Sequence, residues 1–368
     1  MYIHELKDWP NFTWDKLQVL EKLVAVRQKQ AFLLGKMEGI GFSLKTEAQL
    51  GVLISDVSKS SEIEGEHLDQ DQVRSSIARK LGMDVAGLVP SDRNVDGVVE
   101  MMLDATQQCD DKLTQKRLFN WHNSLFPTGS LGMFKITVGK WRTNNPSDPM
   151  QVVSGSIGRE KVHFEAPDSA LVPAQMKSFI TWLNGNHAED AIVKAAIAHL
   201  WFVTIHPFSD GNGRIARAVT DMLLARADGT NQRFYSMSTE IRNQRKQYYQ
   251  VLEATQKGDL NITQWLIWFL NCLEKAIINS EESLKHTLKK SRFLEYHAST
   301  PFNNRQARMV NKLFDGFVGK LTSSKWAKMC KCSQDTAGRD INDLLKKEVL
   351  VKSKEGGRST SYLLNIEG

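Results

Sequence analysis

The sequence predicts a mainly α-helical protein, interrupted once near its middle by a β-hairpin and closed by a tail of different pattern. Three observations predict it. Apolar residues recur at three- and four-residue spacing through most of the 368 positions. Glycine and proline, which break helices, gather between Pro127 and Pro149. Beyond residue 284 seventeen Lys and Arg stand against eight Asp and Glu, so a chain of net charge +6 carries its basic excess in the tail.

The elements follow in order. A first helix is expected over 16–42, with Leu20, Leu23, Val24, Phe32 and Leu33 at helical spacing. A second covers 47–63, with Gly65 placed to end it, and a third covers 69–81 before the turn-rich 82–91. Helices over 95–104 and 114–125 come next. Gly129, Gly132, Gly139, Pro146 and Pro149 make 127–149 mostly loop. Val152 and Val153, then Val162, His163 and Phe164, flank a turn containing Gly155 and Gly158 and read as a hairpin. Helical spacing resumes over 172–184, 190–205, 214–227, 244–256 and 263–288, where the tryptophan-rich 264–269 reads as core. In the tail, helices over 305–317, 323–329 and 333–347, the last capped by Ser333, precede strands at 349–351 and 361–364 around Gly356 and Gly357. Three helices and a terminal hairpin make a winged-helix arrangement.

Composition narrows the class. With 41% hydrophobic and 24% charged residues, the chain is neither collagen-like, coiled-coil nor wholly disordered. No apolar run approaches the roughly 20 residues that span a bilayer. The first fourteen residues are polar and acidic where a secretory signal needs an apolar core. Four cysteines are few for this length and point to a reducing compartment, and Cys330 and Cys332 lack a second ligand pair for zinc. A soluble, cytoplasmic protein with no membrane partner is expected, divided as 1–105, 106–290 and 291–368.

Chemistry concentrates in one stretch, His206-Pro207-Phe208-Ser209-Asp210-Gly211-Asn212-Gly213-Arg214-Ile215-Ala216-Arg217. An apolar helix delivers a histidine to its C-terminal end, and a two-glycine loop leads into a second helix. The first N–H groups of a helix are unpaired donors that attract anions. Arg214 and Arg217 are three positions apart and share a side of that helix, with forks that match phosphate oxygens. Asp210 beside a phosphate cradle suits Mg²⁺. A histidine near neutral pKa can take a hydroxyl proton. His199, seven positions earlier on the same apolar helix, reads as a satisfied core histidine.

The string resembles the Fic family signature H-P-F-x-[DE]-G-N-G-R-x-x-R at every specified position. Enzymes of that family typically move AMP from ATP to a hydroxyl of a protein. The resemblance implies that His206 deprotonates a Ser, Thr or Tyr hydroxyl of a target protein or of the chain itself. It implies that Asp210 holds Mg²⁺ and that Gly211, Asn212 and Gly213 line the anion hole. Arg214 would bind the phosphate chain and Arg217 the γ-phosphate. It makes 152–164 the flap that pairs with a target segment, and sets 233–240 with Tyr248, Tyr249 and Leu252 beside the adenine. Ser60-Ser61-Glu62-Ile63-Glu64-Gly65 likewise resembles the family's inhibitory motif, [ST]-x-x-x-E-[GN], in the class where it precedes the catalytic core. Ser60 and Glu64 lie four apart on one helix face, and the implied role of Glu64 is to pair with Arg217 in place of the γ-phosphate.

The reading is therefore a mainly α protein with a Fic-type core, a β-hairpin flap, an N-terminal helical domain and a C-terminal winged helix. The implied activity is Mg²⁺- and ATP-dependent transfer of AMP, self-restrained by Glu64. Resemblance to full-length Fic proteins of the same layout implies a homodimer. The alternative is a DNA-binding transcriptional regulator that uses the core as a nucleotide sensor. In the expected recognition helix Arg339, Lys346 and Lys347 are offset by Asp335, Asp340 and Asp343, which disfavours DNA, although Lys352, Lys354 and Arg358 in the wing could reach its backbone. A third reading keeps the enzyme but transfers UMP or phosphocholine. The matched arginine pair favours a triphosphate.

Overall fold

Acidic and hydroxyl side chains set where most of the helices begin. Asp15 accepts from the N–H groups of Leu17 and Gln18 and opens α1 (Lys16–Glu38). After α2 (Phe42–Ile63), Asp69, Asp92 and Thr114 cap α3 (Gln70–Lys80), α4 (Arg93–Gln107) and α5 (Gln115–Leu125) in the same way. The coordinates are a computed structural model that describes every residue except 84–87, 132–133, 145–146, 156–158, 315–316, 318, 354–359 and 366–368. Expectations at Gly132, Pro146, Gly158, Lys354, Gly356, Gly357 and Arg358 lie outside the described residues. The chain divides into two units, Met1–Glu281 and Glu282–Gly368.

In the first unit α5 is followed by two antiparallel pairs, β1 (Ser130–Leu131) with β2 (Phe134–Lys135) and β3 (Gln151–Ser154) with β4 (Lys161–Glu165). Then come α6 (Val172–Asn184), α7 (Ala191–Ile205), α8 (Asn212–Asp228), α9 (Met237–Asn243), α10 (Arg245–Gln256) and α11 (Thr263–Tyr296), whose residues fall in both units. Every residue of α7 from Ala195 to Ile205 is buried, as an all-round apolar helix must be. It packs along α8, with α6 beside it. His199 is fully buried and satisfied there, bonded to Thr220 Oγ1 and to the Tyr248 hydroxyl at 2.9 Å each. Trp265 closes this core and donates its indole N–H to Ala196 O at 2.8 Å. Burying one such ring removes roughly 200 Å² from water, about 5 kcal/mol by area. Helix α2 lies against α9 and α8, which carries its C-terminal end to the start of α8.

Several boundaries differ from expectation. α1 stops at Glu38, because Gly39 and Gly41 each weaken a helix by about 1 kcal/mol, and Phe42 begins α2 instead of ending α1. The buried face of α1 is Val19, Leu23, Val26, Gln30, Leu33 and Met37. Leu20, Val24 and Phe32 are more than half exposed, so the expected apolar set mixed two faces. The loop expected over 127–149 contains β1 and β2. α9 lies outside the helices expected from spacing, although the resemblance set a helix over 233–240, and α11 runs eight residues past its expected end at Leu288.

The second unit holds α12 (Asn304–Phe314), α13 (Ser323–Cys330), α14 (Gln334–Lys346) and the antiparallel pair β5 (Leu350–Lys352) and β6 (Tyr362–Leu364). Its core joins Met309, Val310, Phe314, Trp326, Ile341 and Leu344. Thr322 and Ser333 cap α13 and α14. One expectation is corrected here. Asp340 is not offered outward from α14, because it lies three residues after Ala337 and four before Leu344, on the buried face. It is 5% exposed and accepts from Arg305 Nε at 2.7 Å and Asn303 Nδ2 at 2.9 Å. Asp343 accepts from Lys347 at 2.6 Å and Gln306 at 2.8 Å.

Candidate active site

His206 is the C-cap of α7, held in the left-handed region at φ 52° and ψ 58°. Its Nδ1 donates to Val203 O at 3.3 Å, which leaves Nε2 with a lone pair to accept a proton. Burial pushes its pKa down to about 4, against the Val203 hydrogen bond. Arg142 pushes it down further, and Glu64 pulls it up. The imidazole is therefore neutral across the physiological range.

The loop after it is closed by its own residues. Asn212 Oδ1 accepts from the Phe208 N–H at 2.9 Å and its Nδ2 donates to Phe208 O at 2.7 Å. The side chain of Asn212 is thus engaged within the loop, and its N–H lies at the helix start. Beneath, His122 stacks on Phe208 with ring centroids 4.2 Å apart. It accepts from the Gly139 N–H at 3.1 Å and donates to Asp210 O at 3.2 Å. Gly211 turns the chain at φ 78°, and the helical ladder begins with the Ile215 N–H to Gly211 O. The N–H groups of Asn212, Gly213 and Arg214 precede that ladder, as an anion site requires. Asp210 is partly exposed beside them, with one oxygen accepting from the Gly211 N–H at 2.5 Å.

Both arginines are buried and both meet carboxylates from the end of α2. Arg217, 1% exposed, donates Nε to Ser60 Oγ at 2.8 Å, and Nη2 to Ser60 O at 2.9 Å and to Glu64 Oε1 at 2.6 Å. Arg214, 3% exposed, donates Nη1 to Glu66 Oε2 at 2.6 Å. The reversal that delivers both acids is a Schellman turn. The Gly65 N–H bonds Glu62 O, the Glu66 N–H bonds Ser61 O, and Gly65 takes φ 88°. Glu64 lies so close over the start of α8 that a Cβ at Gly213 would fall 2.2 Å from its Oε1. Arg217 Nη1 and Arg214 Nε are buried without a hydrogen-bond partner among the described residues, donors still available to an anion.

A cavity of about 840 Å³ opens from this point between β3–β4 and α10. Glu64, Gly213 and His206 line one end, with Val152, Val153, His163 and Phe164 from the hairpin and Tyr248 and Tyr249 from α10. Val162 is 37% exposed and is not among the lining residues. Val152 stands opposite Phe164 and Val153 opposite Val162, with a bulge between Val152 and Val153. His163 ties the hairpin to α10 through Glu253 at 2.6 Å. Lys257 and His163 together hold the Glu253 carboxyl near a pKa of about 2. Tyr248 is buried with its hydroxyl on His199, whereas Tyr249 is 36% exposed under the Arg245 guanidinium.

The structure thus brings Ser60, Glu64, His206, Asp210, Gly211, Gly213, Arg214 and Arg217 to one place. Sequence reasoning missed Glu66, His122, Arg142 and Glu253. Glu66 had a usable signal, since a Schellman turn at Gly65 returns the chain toward the helix it leaves. His122 and Arg142 had none, because they approach across 64 or more positions of sequence.

Residues 112–224 match the Fic/DOC family, and residues 2–83 match a family described as a domain of unknown function, DUF4172. Over 135 residues the chain is 36% identical to the protein adenylyltransferases Fic of Drosophila ananassae and Drosophila melanogaster. That stretch is 35% of this chain and about a quarter of the length of those relatives. In fold, the chain resembles a Fic family protein from Desulfovibrio desulfuricans, with a TM-score of 0.57 at 21% identity over 96% of this chain and 98% of that one. It also resembles a Fic domain containing signaling protein from Bacteroides thetaiotaomicron, with a TM-score of 0.51 at 18% identity over 71% of this chain and 98% of that one. The segment from α5 into α8, with His206, the anion-binding loop and both buried arginines, is the part of the chain that matches the Fic/DOC family.

Proposed function

We propose that the chain is a protein adenylyltransferase held in check by the end of its own α2. One observation carries this: two buried arginines at the start of a helix, three residues apart, each face a carboxylate where an anionic substrate would sit. Phosphate oxygens and carboxylates make the same charge-assisted, two-point contacts with arginine, so one displaces the other.

With ATP in place, the N–H groups opening α8 and Arg214 hold the phosphate chain, and Arg217 holds the γ-phosphate. His206 Nε2 takes the proton of the acceptor hydroxyl as that oxygen attacks the α-phosphorus. The bond from the α-phosphorus to the bridging oxygen breaks, and diphosphate leaves. Most of the acceleration comes from positioning and charge stabilisation. Among the described residues no three His, Cys, Asp or Glu side chains gather to hold a metal by themselves. The donor set fits Mg²⁺ only as one hard carboxylate, Asp210, completed by phosphate oxygens. When bound, that ion would neutralise charge on the α- and β-phosphates. The exposed edge of β3–β4 would register a protein segment by strand addition, with Val153, 47% exposed, facing it.

A homodimer, self-modification and a winged-helix docking role for the second unit belong to the same reading. The DNA-binding regulator remains the rival, and one observation favours it: Asp340 and Asp343 are turned toward α12, so α14 presents less negative charge than its sequence suggests. No helix among the described residues is long and apolar enough to cross a membrane. The test uses Glu64→Gly protein with ATP labelled at either the α- or the γ-phosphate. Protein-bound label from the α position alone supports AMP transfer. Label from the γ position would mean phosphorylation, and steep salt-dependent duplex binding without transfer would favour the rival.

A further inference from the structure

Arg142 lies in the segment between β2 and β3 and is 3% exposed. Among the described residues it makes no ion pair, and its contacts are almost all with carbonyl oxygens. Its Nε donates to His206 O at 2.7 Å, and its Nη2 donates to Pro167 O and, at 3.5 Å, to Ile205 O. Nη1 donates to Asn144 Oδ1, and the backbone N–H donates to Pro207 O at 2.8 Å. A buried guanidinium without a carboxylate is costly, and burial lowers its pKa to about 10 against the pull of Asp168. What it holds explains the cost.

His206 is in a conformation its own chemistry disfavours. A left-handed backbone costs an L-residue about 1–2 kcal/mol. A following proline disfavours the right-handed helix and favours extended backbone, so Pro207 helps to end α7 but does not explain why His206 turns left. The carbonyls of Ile205 and His206 are unpaired ends of the helix, and Arg142 supplies their donors. The same fork reaches Pro167, two residues beyond β4, and so joins the base of the hairpin to the loop that aims the imidazole. A lysine has no planar fork with which to reach these oxygens together.

We propose that Arg142 is a positioning residue for the transfer reaction, fixing the left-handed turn that aims His206 and the base of the hairpin that presents the acceptor. This rests on the AMP-transfer reading. Two charged groups act on the imidazole besides burial, Arg142 and Glu64.

The experiment compares Arg142→Met and Arg142→Lys, each in the full-length Glu64→Gly protein. Arg142→Met should lower kcat about a hundredfold, the cost of an ångström of misplacement, while nucleotide affinity stays within about twofold. Arg142→Lys, with the charge but not the fork, should recover at most about a tenth of the parent kcat. If Arg142→Met fails to fold, Arg142→Ala with about 10 mM guanidinium replaces it, and partial rescue by guanidinium but not urea is expected. A kcat within about threefold of the parent, a loss confined to KM, or full activity of Arg142→Lys would overturn the proposal. Should the Glu64→Gly parent itself transfer no AMP, the functional reading falls, and the His206 ring followed by NMR still tests Arg142. Its titration should move up in Arg142→Met, because the guanidinium holds it down. Unchanged chemical shifts of the His206 ring and backbone, with the turn intact in Arg142→Met, would overturn the positioning role independently.

Discussion

Arg217 Nη2 donates to Glu64 Oε1 at 2.6 Å across 153 positions of sequence, and the guanidinium keeps Nη1 buried and unpartnered beside that carboxylate. An internal acid therefore holds one face of a group whose second face still awaits an anion. Glu64→Gly removes the competitor that lies over Gly213 at the start of α8. AMP incorporation should rise at least about tenfold, the equivalent of one charge-assisted hydrogen bond, measured as initial rate with α-labelled ATP. An unchanged rate would mean that Glu64 restrains nothing.

Glu66 is a second arm that the motif does not include. Because it meets Arg214 rather than Arg217, it should oppose a different part of the phosphate chain. Glu66→Gln should tighten nucleotide binding by about three- to tenfold in calorimetry, a modest gain because the Glu66 side chain is 35% exposed and screened by solvent. In a double-mutant cycle with Glu64→Gly, the two gains should add to within about 0.5 kcal/mol if the arms act separately. A strong coupling energy would show one lock instead of two.

His206→Ala should lower transfer by about a hundred- to ten-thousandfold and leave ATP binding in place. The pH dependence follows from the sign of the His206 shift. Its pKa is lowered to about 4, so the neutral base persists well into acid and kcat should be level near neutrality and fall only below about pH 5. Glu64→Gly removes an influence that raises this pKa, so the acid limb should move to lower pH. A limb near pH 6.5 would show that the ring is solvated as in a free histidine.

Asp56 on α2 is fully buried facing Asp221 of α8 and Arg233, with Ser236 Oγ donating to it at 2.5 Å. Burial first, then Asp221, raises its pKa well above the carboxylate range. A raised folded value means stability that is complete below the unfolded pKa of about 4 and is lost as pH rises through the folded pKa. Asp56→Asn keeps an acceptor and carries no charge. Its Tm should exceed wild type by about 2–4 °C at pH 8 for each kcal/mol relieved, and the difference should vanish near pH 4. Calorimetric scans at both pH values check this.

What the sequence revealed and what it withheld divide along a physical line. Only Ser333 was read as a cap, yet the helix starts expected at 69, 114 and 190 fall on Asp69, Thr114 and Asp190, which cap by local hydrogen bonds, and 172–184 was read to the residue. The twelve residues from His206 to Arg217 were legible for the same reason, since a loop and two helix ends bring them together without help. The face of α1 was misread because Leu20 and Val24 fit a helical period as well as Leu23 and Val26, and only the neighbouring helices decide which side is covered. Arg142, His122 and Glu253 act through partners in distant elements, and spacing carries no trace of such contacts.

The central claim is that His206 directs an acceptor hydroxyl onto the α-phosphorus of ATP once Glu64 is out of the way. Intact-mass spectrometry of full-length Glu64→Gly protein after incubation with ATP and Mg²⁺ tests it most directly, beside the Glu64→Gly/His206→Ala double variant. The account predicts a gain of one or more AMP units in the first and none in the second. No gain in the first despite bound ATP, or the same gain in both, would contradict it.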